Sequence, residues 1–464
     1  MRLQNIINMA KDYLILGIIL VFLISIVYLL IFKIIKKNSR KPSKRKFILS
    51  AIFICYMVVV LGATMFSRFG YGQGVASFHL FYSYKEAWNS FSKTEWRNII
   101  LNICMFMPLG FLLPLLSDKF KSWWKTYLAG FVTTLSIELL QLITHRGIFE
   151  LDDILNNLWG AMIGYGLIII VLDIFAKKDK RKSNIWMKLS YQVPLLILII
   201  TFSTIFIKYN SQEYGNLPVS YVVKVNMSDV EVKLNTDLEV SETRAMVYKL
   251  HIADQEETLN YAKNFFAKLG KEIDESKNDI YEETAIYKSG DENYSIWIDY
   301  AGLTINFRDF SNLEEEGKRG CSLEEIKAAL KEYDIELPET VDFQEEDGSY
   351  NIIVNKYLEG NKLLDGSLSC IYSGENKLIS IRNCIREYEK YKECSIISKQ
   401  DAYEQLKEGK FQYPSYYDKV HTIDIESVEL SYALDSKGFY QPVYEFKCII
   451  NGEKRIIVIP AMKK

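Results

Sequence analysis

A chain of 464 residues that is 49% hydrophobic with a net charge of −2 is too long for one compact core. The balance is a sum of opposites: residues 1–207 hold 24 Lys/Arg against 10 Asp/Glu, and residues 208–464 hold 32 against 48. Every long apolar run precedes Phe206, which excludes a wholly soluble protein.

The sequence predicts an all-α bundle of six transmembrane helices followed by a soluble α+β extracytoplasmic domain. The first span covers residues near 13–32 and is long enough for a hydrocarbon core of about 30 Å. Its basic block follows it instead of preceding it, so it reads as a retained helix rather than a signal peptide. That block, Lys33 to Lys46, has eight basic residues and no acidic one, as expected of a cytoplasmic anchor drawn to anionic lipid. Further spans fall near 47–66, 98–116, 126–143, 154–175 and 189–207. The domain reading is residues 1–46 for the first helix and basic loop, 47–175 for a four-helix membrane domain, 176–207 for a loop and the sixth helix, and 208–464 for the outer domain.

With the Lys33 to Lys46 loop inside, inner loops hold 17 Lys/Arg and outer loops 5, so the N-terminus and everything after Lys208 are expected outside the cytoplasm. In the 67–97 loop, Gly70, Gly72 and Gly74 read as a flexible connection, since no strand precedes and no helix follows them in the manner of a phosphate-binding turn.

Polar residues inside the apolar runs single out one region. Asn98, Asn102, Glu138, Gln141, Asn156 and Asn157 sit within spans, and Arg146, Asp152 and Asp153 lie between the second and third of these runs. Ionisable groups at membrane depth cost roughly 2.5–3.5 kcal/mol each, so they usually face a bundle interior or a functional cavity. Counted from the outer ends of their helices, Asn102, Glu138 and Asn156 lie at similar depth. Residues three or four apart share a helix face, which pairs Asn98 with Asn102, Glu138 with Gln141, and Asp152 and Asp153 with Asn156. Gly160 and Gly164 form a G-x-x-x-G pattern that permits close helix approach. Pro108 and Gly110 are expected to loosen their span locally, leaving carbonyls for a neighbour to satisfy.

The succession Asn102, Phe106, Pro108-Leu-Gly110, Ser136-Ile-Glu138-x-x-Gln141, Arg146 and Asp152-Asp153-x-x-Asn156-x-x-x-Gly160 resembles the VanZ-like family, named for a teicoplanin-resistance protein. The resemblance covers about residues 47–175 and implies a small helical membrane domain, linked in one branch to lipoglycopeptide resistance at the cell envelope. Two places depart from the family pattern: Asn157-Leu158-Trp159 stands where a small residue and glycine are common, and the Arg146 to Asp152 spacing is irregular.

The candidate ligand-binding set is therefore Asn102, Glu138, Gln141, Arg146, Asp152, Asp153 and Asn156, with Glu138, Asp152 and Asp153 also candidate acid–base groups. Arg146 offers a planar fork for a carboxylate or phosphate. Three readings stay open: binding of a lipid-linked, cell-wall-precursor or glycopeptide ligand; an enzyme acting on such headgroups; and an extracytoplasmic sensor or regulator working through an envelope protein partner. Membrane lipid is an expected partner and nucleic acid is not. His145 reads as a solvated loop residue, and no metal or cofactor is expected.

The second half repeats a short capped helix followed by strands. Helices open at Asp254 with Glu257, at Ser322 with Glu325 and at Ser398 with Asp401, each a capping pattern, and the third closes at Gly409. Strand pairs follow around SGDEN (289–293), EEDGS (345–349), SGEN (373–376) and Asn451-Gly452. The last third is similar to extracytoplasmic modules of the PepSY and YycH type. Cysteines show no C-x-x-C spacing, and the five in this half, Cys321, Cys370, Cys384, Cys394 and Cys448, fix no disulfide pairing; Cys384 and Cys394 are nearest in sequence.

Overall fold

The computed structural model describes residues 11–26, 43–66, 76–175, 185–238, 244–311, 317–374, 377–413 and 419–463. The chain divides into two compact units, one of Met1–Val230 with Glu408–His421, the other of Glu231–Lys407 with Thr422–Lys464.

The first unit is helical. Its elements are α1 (residues 11–26), α2 (Lys44–Leu61), a π-helical turn at Gly62–Phe66, α3 (Tyr82–Ser90), α4 (Lys93–Leu116), α5 (Trp123–Thr144), α6 (Leu151–Ile174), α7 (Ile185–Ser190) and α8 (Val193–Ser211). Among the described residues five helices are long and apolar enough to cross a membrane: Lys44–Met65, Lys93–Leu116, Trp123–Thr144, Leu151–Ile174 and Val193–Ser211. The expected first span extends beyond α1 into residues outside the described ones, as do most of the basic block and the three-glycine loop. A short parallel pair, β1 (Ala76–Ser77) and β2 (Phe149–Glu150), ties the segment before α3 to the turn before α6.

Glycine sets how closely α4 and α6 pack. A Cβ on Gly160 would lie 2.0 Å from the Ile103 carbonyl oxygen, one on Gly164 1.9 Å from that of Met107, and one on Gly110 1.9 Å from that of Ala161. Only backbones in direct contact give such distances, the approach that small residues permit between membrane helices. Despite Pro108 and Pro114, α4 runs unbroken through Leu116. Beside the turn that Pro108 deprives of a donor, the Met105 carbonyl accepts a hydrogen bond from Tyr56 of α2 at 3.0 Å.

Among the described residues the second unit is one mixed sheet with three α-helices. In chain order it contains β3 (Glu231–Leu234), β4 (Arg244–Leu250), α9 (Gln255–Lys268), β5 (Asp279–Ile280), β6 (Thr284–Lys288), β7 (Tyr294–Asp299), β8 (Ile305–Asp309), α10 (Leu323–Lys331), β9 (Asp342–Glu346), β10 (Ser349–Glu359), β11 (Lys362–Tyr372), β12 (Leu378–Asn383), β13 (Arg386–Ser395), α11 (Lys399–Lys407), β14 (Thr422–Leu434), β15 (Phe439–Ile450) and β16 (Glu453–Pro460). The strands run β3-β14-β15-β4-β13-β11-β12-β8-β7-β6-β5, with β10 also on β11, β9 on β10 and β16 on β15.

All three helices start at the predicted caps. Asp254 accepts from the Glu257 amide at 2.9 Å, Ser322 and Glu325 form a reciprocal capping box, and Ser398 and Asp401 exchange backbone-to-side-chain bonds. Asn451 and Gly452 both take positive φ, 51° and 88°, joining β15 to β16 in the two-residue turn that suits the sheet's twist. Phe265 and Phe266 of α9 and Ile326 and Leu330 of α10 are buried with Ile296, Ile298 and Phe307 in one core on a single face of the β5–β12 region. All seven cysteines are free thiols, so Cys384 and Cys394 form no bridge. Burial pushes the Cys370 thiol up to about 12 and the Cys448 thiol up to about 11.

Candidate functional site

The N-termini of α4 and α6 and the C-terminus of α5 meet at one end of the helical unit, and the π-turn that ends α2 joins them. Asp152, 2% exposed in the first turn of α6, spends both carboxylate oxygens on α3. Oδ1 accepts from the Phe81 amide at 2.6 Å, and Oδ2 accepts from the amide and hydroxyl of Ser83 at 2.8 and 2.7 Å. Phe81 is left-handed, with φ 64°, and supplies no cap of its own, so Asp152 supplies the cap from another helix. An anion at a helix N-terminus satisfies orphan amides and meets the positive end of the helix dipole.

Asn156, one turn further along α6, accepts a hydrogen bond from the Tyr84 hydroxyl. Burial, with the nearby charges of Asp152 and Asp153, pushes the Tyr84 phenol well up, so Tyr84 stays protonated and remains the donor. Asp153 accepts from the side-chain amide of Asn102 and so links α6 to α4. Asn157, behind it, donates to Thr134 Oγ1 on α5 at 2.9 Å.

On α5, Glu138 is 2% exposed and its Oε2 accepts from the Glu150 amide at 3.2 Å. Gln141 is 1% exposed, and its Nε2 donates to the Thr64 carbonyl in the π-turn at 2.9 Å. Gly147 packs against Gln141, since a Cβ there would lie 3.3 Å from that side chain. Arg146 is half-buried in the turn after α5 and His145 is exposed.

Two of these amides keep an acceptor with no donor. Gln141 Oε1 and Asn157 Oδ1 are buried and have no hydrogen-bond partner. Leaving a buried polar atom unsatisfied costs about 1–3 kcal/mol.

Of the residues singled out in the sequence, Asn102 joins Asp153, and Asn156 meets Tyr84. Glu138 and Gln141 tie α5 to the β2 turn and to α2. Asn98 stays exposed. Sequence reasoning missed Ser83, Tyr84, Thr64 and Thr134. Thr134 was within reach, lying four residues before Glu138 on the same face. Thr64 lies near the end of the span expected at 47–66, and Ser83 and Tyr84 sit in a connecting segment with no apolar period to place them.

Residues 19–172 match the family described as VanZ/LLP1. This segment resembles a VanZ/LLP1 domain. The match begins within α1 and ends in the last turn of α6, so it holds the whole polar cluster. With five apolar helices long enough to span a bilayer, the chain is a multi-pass membrane protein. Among curated proteins none matches the chain. Among solved structures it is similar to the Bacillus megaterium YpeB C-terminal domain, at 13% identity over 46% of this chain and 95% of that one, with a TM-score of 0.24.

Proposed function

We propose that this chain is a cell-envelope protein whose VanZ domain binds a donor-rich headgroup, lipid-linked or glycopeptide-like, at the end of the bundle where α4, α5 and α6 meet, and that it contributes to glycopeptide resistance. One observation carries the reading: Gln141, three residues from the buried carboxylate Glu138 on α5, and Asn157, which donates to Thr134 four residues before Glu138, each hold a buried acceptor without a donor. Acceptors in surplus suit hydroxyl, amide or ammonium donors, which sugars and peptides supply. A donor in that place would recover the cost of the unmade bonds.

Binding fits this geometry better than catalysis. Acid–base chemistry needs two groups facing one reacting centre, and Asp152 is already committed to the cap of α3. In this proposal the site end faces outward, with the second unit on the same side, as the charge of the loops predicts.

The test is teicoplanin susceptibility in a sensitive Gram-positive host expressing the wild type, Glu138→Ala or Gln141→Ala at matched membrane abundance. Protection by the wild type that drops at least fourfold in both variants is expected. Equal protection by all three, or none from the wild type, overturns the proposal.

A further inference from the structure

Over β7, β8 and β12 the face of the sheet turned away from α9 and α10 carries exposed side chains. On β7, Ile296 and Ile298 point into the core under α9 and α10, so Trp297 between them points the other way and is 50% exposed. The ladder register extends that position across five more strands. Trp297 pairs with Asn306, Asn306 with Arg382, Arg382 with Ser369, Ser369 with Asn351, and Asn351 with Gln344. Six consecutive positions thus form one row on the open face, about 24 Å long at the usual strand spacing of about 4.8 Å.

Two arginines sit together on this face, while its carboxylates, Asp299 on β7 and Asp342 and Glu346 on β9, occupy other positions of the ladder. Arg308 lies two residues beyond Asn306 on the same face of β8, diagonal to both Trp297 and Arg382. Diagonal cross-strand neighbours lie about 7–8 Å apart, close enough for long side chains to act together. The residues directly opposite Arg308 are Ser295 and Ser380, and those opposite Arg382 are Asn306 and Ser369, so neither guanidinium has a carboxylate across the ladder. Both arginines are exposed.

We propose that this face binds a carboxylate-bearing glycan, with a sugar ring stacked on Trp297 and carboxylates paired with Arg308 and Arg382. The C–H face of a sugar ring suits the electron-rich face of an indole. The planar guanidinium fork suits a carboxylate bidentately. Beyond the arginines the row is amide and hydroxyl only, a set that both donates to and accepts from sugar hydroxyls. An extended peptide is a poorer fit, because it is held chiefly by free backbone groups at a sheet edge, and Trp297, Arg308 and Arg382 lie on β7, β8 and β12, each paired on both sides. The proposal stands independently of the membrane site.

Calorimetry on the full-length protein in detergent tests it with three probes: polygalacturonate oligomers, dextran of similar length, and polyglutamate. Polygalacturonate is expected to bind, with affinity falling tenfold or more in Trp297→Ala and in Arg308→Ser/Arg382→Ser while the unfolding midpoint stays unchanged. Dextran binding equally well would remove the role of charge. Polyglutamate binding as tightly would make the face a site for acidic polypeptide. Either result overturns the proposal, as does absence of polygalacturonate binding or binding that both variants retain.

Discussion

Asp152 behaves as a structural anion more than as a reagent. Three donors from Phe81 and Ser83 converge on it, and the helix that it caps also holds the chain leaving α8. Asn216 donates to the Trp88 carbonyl at 2.6 Å, and Asn89 and Lys85 donate to the carbonyls of Ser220 and Val222 at 2.9 and 3.3 Å. Replacing Asp152 by Ala orphans two amides, and should cost roughly 2–4 kcal/mol given the strength of hydrogen bonds to a charged acceptor. Chymotrypsin should then cut around Phe81–Tyr84 in detergent-solubilised protein, where the wild type resists. Asn98→Ala, on an exposed side chain, should leave the digest unchanged. The sequence marked Asp152 as one of an acidic pair in the connection before the third of its polar-bearing runs, but nothing in it distinguished a capping carboxylate from a ligand-binding one. That difference depends on α3, whose short, mixed sequence in a connecting loop carries no clear period.

At the scale of elements, legibility followed how local the determinant is. Capping pairs such as Ser322 with Glu325, and the Asn451-Gly452 turn, place helices and hairpins directly because a few neighbouring residues decide them. The same holds for the G-x-x-x-G pattern of α6, whose glycines meet the α4 backbone. The start of α4 was not legible at Asn98, because its first turn, from Lys93, is polar and is set by the Ser92 cap. The β5–β12 order was equally out of reach, since strand partners distant in sequence are chosen by the core and not by turns. The α4–α6 contact yields a sharp test. Gly164→Ala forces a Cβ to within 1.9 Å of a backbone oxygen and should cost roughly 3 kcal/mol through overpacking. Gly290→Ala, with nothing within 4 Å, should be neutral. The yield of monodisperse protein after detergent extraction separates the two; equal yields would refute the close approach.

The whole molecule joins an apolar, basic helical part to an acidic, tyrosine-rich sheet, and that composition predicts its response to alkali. Burial raises Tyr261, Tyr350 and Tyr432 each to about 12, from the ordinary 10.0. A folded-state pKa above the unfolded one gives stability that is complete below pH 10 and is lost as pH rises through the folded values. Unfolding of the sheet unit, followed by tyrosine absorbance and circular dichroism, should therefore be unaffected by these phenols between about pH 7 and 10 and become easier between about 10 and 12. A stability that stays flat through this window would contradict the burial of these phenols.

The most direct test concerns the side on which the polar cluster opens. His145 at the end of α5 and Ser228 after α8 are both exposed, as is Lys119 in the turn between α4 and α5. Single cysteines at these three positions, in a background without the native thiols, can be treated in intact cells with a membrane-impermeant maleimide. The account predicts that positions 145 and 228 label at once and position 119 only after permeabilisation. Labelling of 119 in intact cells, with 145 and 228 protected, would contradict it.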